Sequence, residues 1–170
     1  PGLFGSISGG AAHVGARMGV SAGARGSLLV AVRPGLLAAV FRSYQFDPSI
    51  RFIPEFDDLL ARGRKSLGRG QDLELLAMGS RDDFIWDDDY DGNDVTSRQR
   101  NLTIGAAWTG RWSDRTRHRL LLSGDVVDRR RVIAYTGQDD NHARAIRSRL
   151  EASRTLSSAH SLDLGAGFTW

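Results

Sequence analysis

Residues 98–112 read R-Q-R-N-L-T-I-G-A-A-W-T-G-R-W, and few folds accommodate that pattern. Every second residue from Leu102 gives Leu102, Ile104, Ala106, Trp108, Gly110 and Trp112. The interleaved set is Gln99, Asn101, Thr103, Gly105, Ala107, Thr109 and Arg111. A strand points successive side chains to opposite faces, so this stretch has one apolar and one polar face. In a soluble sandwich the apolar face is a core. In a transmembrane barrel it meets lipid, the polar face meets the lumen, and aromatics gather at the interfaces. The length favours the barrel, because a tilted membrane strand needs about 9–11 residues and soluble strands run about 5–6.

Composition narrows the field further. The chain has 170 residues, 41% of them hydrophobic, and no window approaches the ~18 apolar residues of a membrane helix. Alternation hides a barrel's apolar face from such averages, so a membrane barrel remains open. Cysteine is absent, which removes disulfide frameworks, thiol catalysis and cysteine metal sites. The net charge is +3, with one lysine, Lys65, among 23 basic residues. A nucleic-acid binder gathers its arginines on one face, whereas here they are scattered. The triplet Arg129-Arg130-Arg131 follows Asp125 and Asp128, so no nucleic-acid partner is expected. No charged n-region or signal-peptide core opens the chain, which is expected to be a mature portion or a piece of a longer protein.

In chain order, residues 1–10 are an opening segment of glycine and serine without periodicity, expected to be the end of a plug or a linker. Residues 11–170 are expected to form part of an outer-membrane β-barrel of about nine strands. The predicted strands are 11–21, 27–32, 36–46, 56–67, 72–80, 98–112, 118–135, 142–153 and 161–170. Arg33-Pro34-Gly35 is a strong turn signal, residues 47–55 with Pro48 and Pro54 read as a loop, and the acidic run 81–97 reads as a long loop. From Arg33 onward the connections alternate short and long, as the periplasmic turns and extracellular loops of outer-membrane barrels do. The fold class is therefore all-β, an antiparallel up-and-down meander forming part of a transmembrane β-barrel.

Residues 9–47 (G-G-A-A-H-V-G-A-R-M-G-V through R-P-G-L-L-A-A-V-F-R-S-Y-Q-F-D) resemble the plug-to-barrel passage of TonB-dependent outer-membrane receptors, in a myxobacterial-like, arginine-rich subset. The similar features are a Gly-Gly opening, a two-strand hairpin, a Pro-Gly turn and Arg42-Ser43-Tyr44 near a strand end. L-L-A-M-G-S-R-D-D-F at 75–84 is similar to a strand and acidic loop of the same subset. The resemblance implies the barrel wall of a nutrient-uptake receptor in a Gram-negative outer membrane, with the lipid bilayer and the barrel-assembly machinery as partners. The energy-coupling protein would engage only through a coupling box and plug body that this chain does not carry. Trp170, after Leu164, Ala166 and Phe168, is also similar to the C-terminal aromatic signal of assembled barrels. The strand count sends this last strand outward, however, so truncation after an aromatic is the preferred reading.

Catalytic constellations are poor. His13, His118, His142 and His160 show no metal-ligand spacing, and no Ser/His/Asp set presents itself, so no enzyme is expected. The better candidates for ligand binding are lumen-facing residues, namely Arg147, Arg149, Glu151 and Asp163, where substitutions tune selectivity. The alternative is that they satisfy one another across neighbouring strands. No cofactor is expected beyond calcium. Asp87, Asp89 and Asp91 precede Gly92 as D-x-D-x-D-G, a spacing that brings three carboxylates around one hard cation. Arg98 stands where an EF-hand places its bidentate glutamate, and a solvated acidic loop is the competing reading. Beside the receptor wall, two other classes compete: a small self-contained barrel with a structural or adhesive role, and a soluble β-domain for ligand binding.

Overall fold

The computed structural model describes residues 2–10, 13–43, 50–88, 94–134 and 137–170, leaving aside the side chains of residues 42, 50–53, 87 and 88. Nine strands form one sheet in sequence order: β1 (Gly2–Gly9), β2 (Val14–Ser21), β3 (Gly26–Pro34), β4 (Ile50–Gly68), β5 (Gln71–Asp88), β6 (Val95–Ser113), β7 (Thr116–Ile133), β8 (Gly137–Thr155) and β9 (Ser161–Thr169). Each is antiparallel to the next, an up-and-down meander. The sheet is open, with β1 and β9 as its edges. The connections 22–25, 69–70, 114–115 and 156–160 all lie at one end of the sheet.

The tight turns follow from backbone chemistry. Between β4 and β5, Arg69 and Gly70 both take positive φ (51° and 71°), the hairpin geometry whose twist matches the flanking strands. Gly35 sits so close to β4 that an added Cβ would lie 2.6 Å from the Phe56 carbonyl oxygen, and its own N–H donates to that oxygen at 2.6 Å. The contact pins the end of β3 to β4.

Four expectations need correction. Residues 36–46, predicted as a strand, hold a short helix, α1 (Leu37–Ser43); Tyr44 and Phe46 lie outside the described residues. L-L-A-A-V-F is too short for periodicity to separate strand from helix, and leucine and alanine are strong helix formers. Ala38, on α1, is buried. Residues 2–9, read as aperiodic, form β1, paired along its length with β2. The acidic run 81–97 is mostly strand: β5 continues to Asp88 and β6 resumes at Val95, leaving only 89–94 as the connection. The ladder holds these charges in register, Asp83 standing opposite Arg98 and Asp82 opposite Gln99, and Asp83 is paired with Arg81 on its own strand. Residues 50–55 and 137–141, predicted as loop, are strand as well. Pro54 is tolerated because β3 pairs with β4 only as far as Asp57, so the Pro54 side of β4 is an edge where no N–H is required.

Strand number survives these changes, since β1 is gained where a third strand is lost.

Candidate functional site

The sheet's two faces differ in chemistry, and the register shows how. On one face, horizontal rows cross the strands. One runs Gly5, Met18, Val30, Ala61, Ala77, Ile104, Gly124, Ile146. Toward the 69–70 turn come Leu75, Ala106 and Leu122, then Leu73, Trp108, Leu120 and Leu150. In the other direction the last apolar row is Leu59, Gly79, Leu102, Val126. These side chains are not a core. Leu28, Leu59, Leu75, Leu102, Ile104, Leu122, Ile146 and Leu164 are all exposed, and Ile7 is 83% so. Among the described residues Ala38 is the one buried hydrophobic side chain. The accessible surface is 12394 Å², against about 8,200 Å² for a compact chain of 18.6 kDa.

An aromatic cluster closes this band at the short-turn end. His118, only 4% exposed, lies between Trp108 and Trp112, both with ring centroids 4.6 Å away, edge-on to the first and stacked on the second. Trp108 Nε1 donates to Gln71 Oε1 at 2.9 Å. Opposite His118 stands Gly110, where a Cβ would lie 2.9 Å from the imidazole and 3.0 Å from Gln71. Glycine at 110 is what leaves room for the ring.

Beyond the Leu59–Val126 row the same face turns abruptly to charge. The next row is Asp57, Arg81, Arg100, Asp128, His142, and the one after it Glu55, Asp83, Arg98, Arg130, Asp140. Asp83 is buried and accepts from Arg81 Nε at 2.9 Å.

The opposite face is polar and knit by its own pairs. Arg62 makes a two-pronged contact with Glu74 (3.0 and 2.9 Å), Arg64 pairs with Asp72 at 2.8 Å, and Arg33 pairs with Asp58. Thr103 Oγ1 donates to Asp125 Oδ1 at 2.8 Å, and Asn101 Nδ2 to Ser80 Oγ at 2.9 Å.

Arg147, Arg149, Glu151 and Asp163 all fall on this polar face. Arg149 pairs with Glu151 at 2.8 Å and Arg147 with Asp125. Arg149, Glu151 and Asp163 line a depression of about 350 Å³ together with Arg117, Arg119 and Ser153, while Arg147 stands apart, bound to β7. Sequence reasoning missed Arg117, Arg119 and Asp125. Their signal is the β7–β8 register, which places Arg119 opposite Glu151 and Arg117 opposite Ser153. Of the three calcium candidates, Asp87 lies in β5 with Arg51 opposite its backbone, and Asp89 and Asp91 lie outside the described residues. No group of metal-ligating side chains occurs among the described residues. No described helix is long and apolar enough to cross a membrane, which says nothing of strands.

No protein family, curated protein or solved structure matches this chain.

Proposed function

We propose that the chain is wall of an outer-membrane β-barrel, belonging to a nutrient-uptake receptor of the TonB-dependent kind. The observation that supports the wall is the band of large apolar side chains left open on one face of a single sheet, bounded by tryptophans at one side and by charge at the other. From Leu102 to Trp112 a strand rises about 33 Å, which at a tilt of about 40° covers about 25 Å, the height of the lipid-facing band of such barrels. A sandwich would pack a second layer on this face, and the described residues contain none. The receptor assignment rests on the resemblance around residues 9–47 and 75–84. The polar face would then line the lumen, with Arg117, Arg119, Arg149, Glu151 and Asp163 facing passing solutes. Its internal ion pairs favour a rigid, charge-balanced wall. Calcium at Asp87, Asp89 and Asp91 remains a separate proposal, checked by calorimetry on the protein in its membrane. Saturable binding lost on Asp89→Asn with Asp91→Asn supports it, and no binding at millimolar calcium ends it.

The wall is tested by extraction. The protein, expressed in its own cell, should stay with the membrane fraction through high salt and alkaline carbonate and need detergent to dissolve. Release in soluble form without detergent overturns the assignment. If the wall holds, growth on the transported nutrient tests the receptor reading: deletion of the gene should abolish uptake of one scarce nutrient, and wild-type uptake of all of them points instead to a structural barrel.

A further inference from the structure

The polar face is not polar throughout. On β3, β4 and β5 it carries Leu29, Ala31, Leu60, Leu76 and Met78, neighbours in two adjoining rows of the register. Met78 is 46% exposed. An apolar patch rimmed by polar groups marks a place where something binds. Here it also breaks the alternation that keeps apolar side chains on the other face, and such local breaks gather at functional sites. Ala31, Leu60 and Met78 floor a depression of about 440 Å³, with Ser80, Asn101 and Thr103 along its side.

The rim determines what fits. The ion pair Arg33–Asp58 closes one end of the floor and the two-pronged Arg62–Glu74 contact the other. Asp58 and Arg62 are four residues apart on β4, about 13 Å. A polypeptide segment crossing the floor would have to lie over one of these pairs, whereas a volume of 440 Å³ is that of a small-molecule site. Both end pairs answer their own charges, and Arg17, opposite Ala31 on β2, is turned to Ser6, its Nε donating at 2.7 Å. A charged guest would have to break a pair or stay unpaired. On the side wall, Gln99 Nε2 donates to Asn101 Oδ1 at 3.3 Å and Asn101 Nδ2 to Ser80 Oγ at 2.9 Å. This relay ends at the Ser80 hydroxyl, whose hydrogen meets no acceptor among the described residues. Thr103 gives its own hydroxyl hydrogen to Asp125. The depression therefore offers a guest an apolar floor and one free donor.

We propose that the polar face holds one uncharged, mainly apolar small molecule bearing a hydrogen-bond acceptor, seated on Leu60 and Met78 and receiving a hydrogen bond from Ser80. That the molecule arrives from a barrel lumen rests on the membrane-wall reading; the complementarity of the site does not. Met78 suits the role, because its flexible, polarisable side chain adapts to an irregular guest.

The protein, purified from its own cell's membranes into phosphatidylcholine nanodiscs, is photolabelled with 4-benzoylbenzamide, an uncharged ketone, or with 4-benzoylbenzoate, the same body carrying a carboxylate. Adducts are placed by peptide mass spectrometry. The amide should label Met78 and Leu60 saturably and in preference to the carboxylate. Ser80→Ala should raise the half-saturating concentration about fivefold. Ala31→Leu, which fills the floor, should abolish labelling of Met78. Labelling that does not saturate and spreads over the outward leucines overturns the site, as does equal labelling by the two probes or indifference to both variants. Met78→Cys should react with a water-soluble maleimide. A protected cysteine shows that another segment of the protein covers the floor, and also overturns the proposal. A protein that dissolves without detergent fails the wall reading, and saturable labelling of Met78 in plain buffer then upholds the site alone.

Discussion

The first three strands and the middle five obey different lengths. β1, β2 and β3 have eight, eight and nine residues, whereas β4 to β8 have 18 or 19. On the apolar face the short strands carry Leu3, Ile7, Met18, Val20, Leu28, Val30 and Val32 and no charge. The long strands carry the same apolar chemistry over the half that faces β3 and then become charged. β3 stops pairing at Asp57, two residues past Leu59 in the last apolar row of β4. The short wing is therefore the length of the band alone, and the long block is the band plus an extension of similar length. One apolar height runs through both regions, although nothing in the wing's own sequence marks where it ends.

That common height can be broken in four ways. The largest effect is expected at mid-band. Leu28 in the wing and Leu122 in the block lie in one row, so Leu28→Arg and Leu122→Arg should each cost about 2–4 kcal/mol in urea unfolding from bilayers. Thr103→Arg, on the opposite face, should cost far less. If Leu28→Arg is as mild as Thr103→Arg, the wing lies outside the band. Next comes Gly110→Val, which drives a side chain into His118 and Gln71 and should cost about 1–3 kcal/mol by overpacking. Loss of the stacked Trp112 signal in near-UV circular dichroism would report the displaced imidazole, and an unchanged spectrum and stability would remove the girdle's tight fit. Thr103→Val removes a hydrogen bond to Asp125 and should cost about 1 kcal/mol in the same urea assay. The smallest effect is at the rim. Val126→Arg, in the last apolar row, should cost about 0–1 kcal/mol, because the penalty for charge fades toward the interface. A cost equal to that of Leu122→Arg would move the top of the band into the charged extension.

The β6 pattern was readable directly, since strict alternation of Leu102, Ile104, Ala106 and Trp108 against Thr103 and its neighbours has one structural solution. The upper halves of β5 and β6 were not. Residues 81–88 look like a loop because their charges mask the alternation, and only the partner strand reveals that they run in register with 95–100. Alpha-helical Leu37–Ser43 escaped for the opposite reason, as a short apolar run fits both a strand and a helix. The candidate site was half legible. Period two puts Arg147, Arg149, Glu151 and Asp163 on one face, but their partners Asp125, Arg117 and Arg119 depend on a register set by turns of two to five residues. Small errors in turn length move every partner.

The up-and-down order has a consequence in simple parity. Nine strands leave β1 and β9 pointing the same way, so joining those two edges would make a parallel seam. A second copy of the same sheet, inserted in the same orientation, changes nothing, because it meets each edge with a strand of the same direction. A ring that is antiparallel throughout needs an odd number of further strands that begin and end running opposite to β1 and β9. A same-facing copy of this sheet adds the right parity of strands but the wrong direction at both joins, so direction, and not number, bars identical sheets from the usual ring.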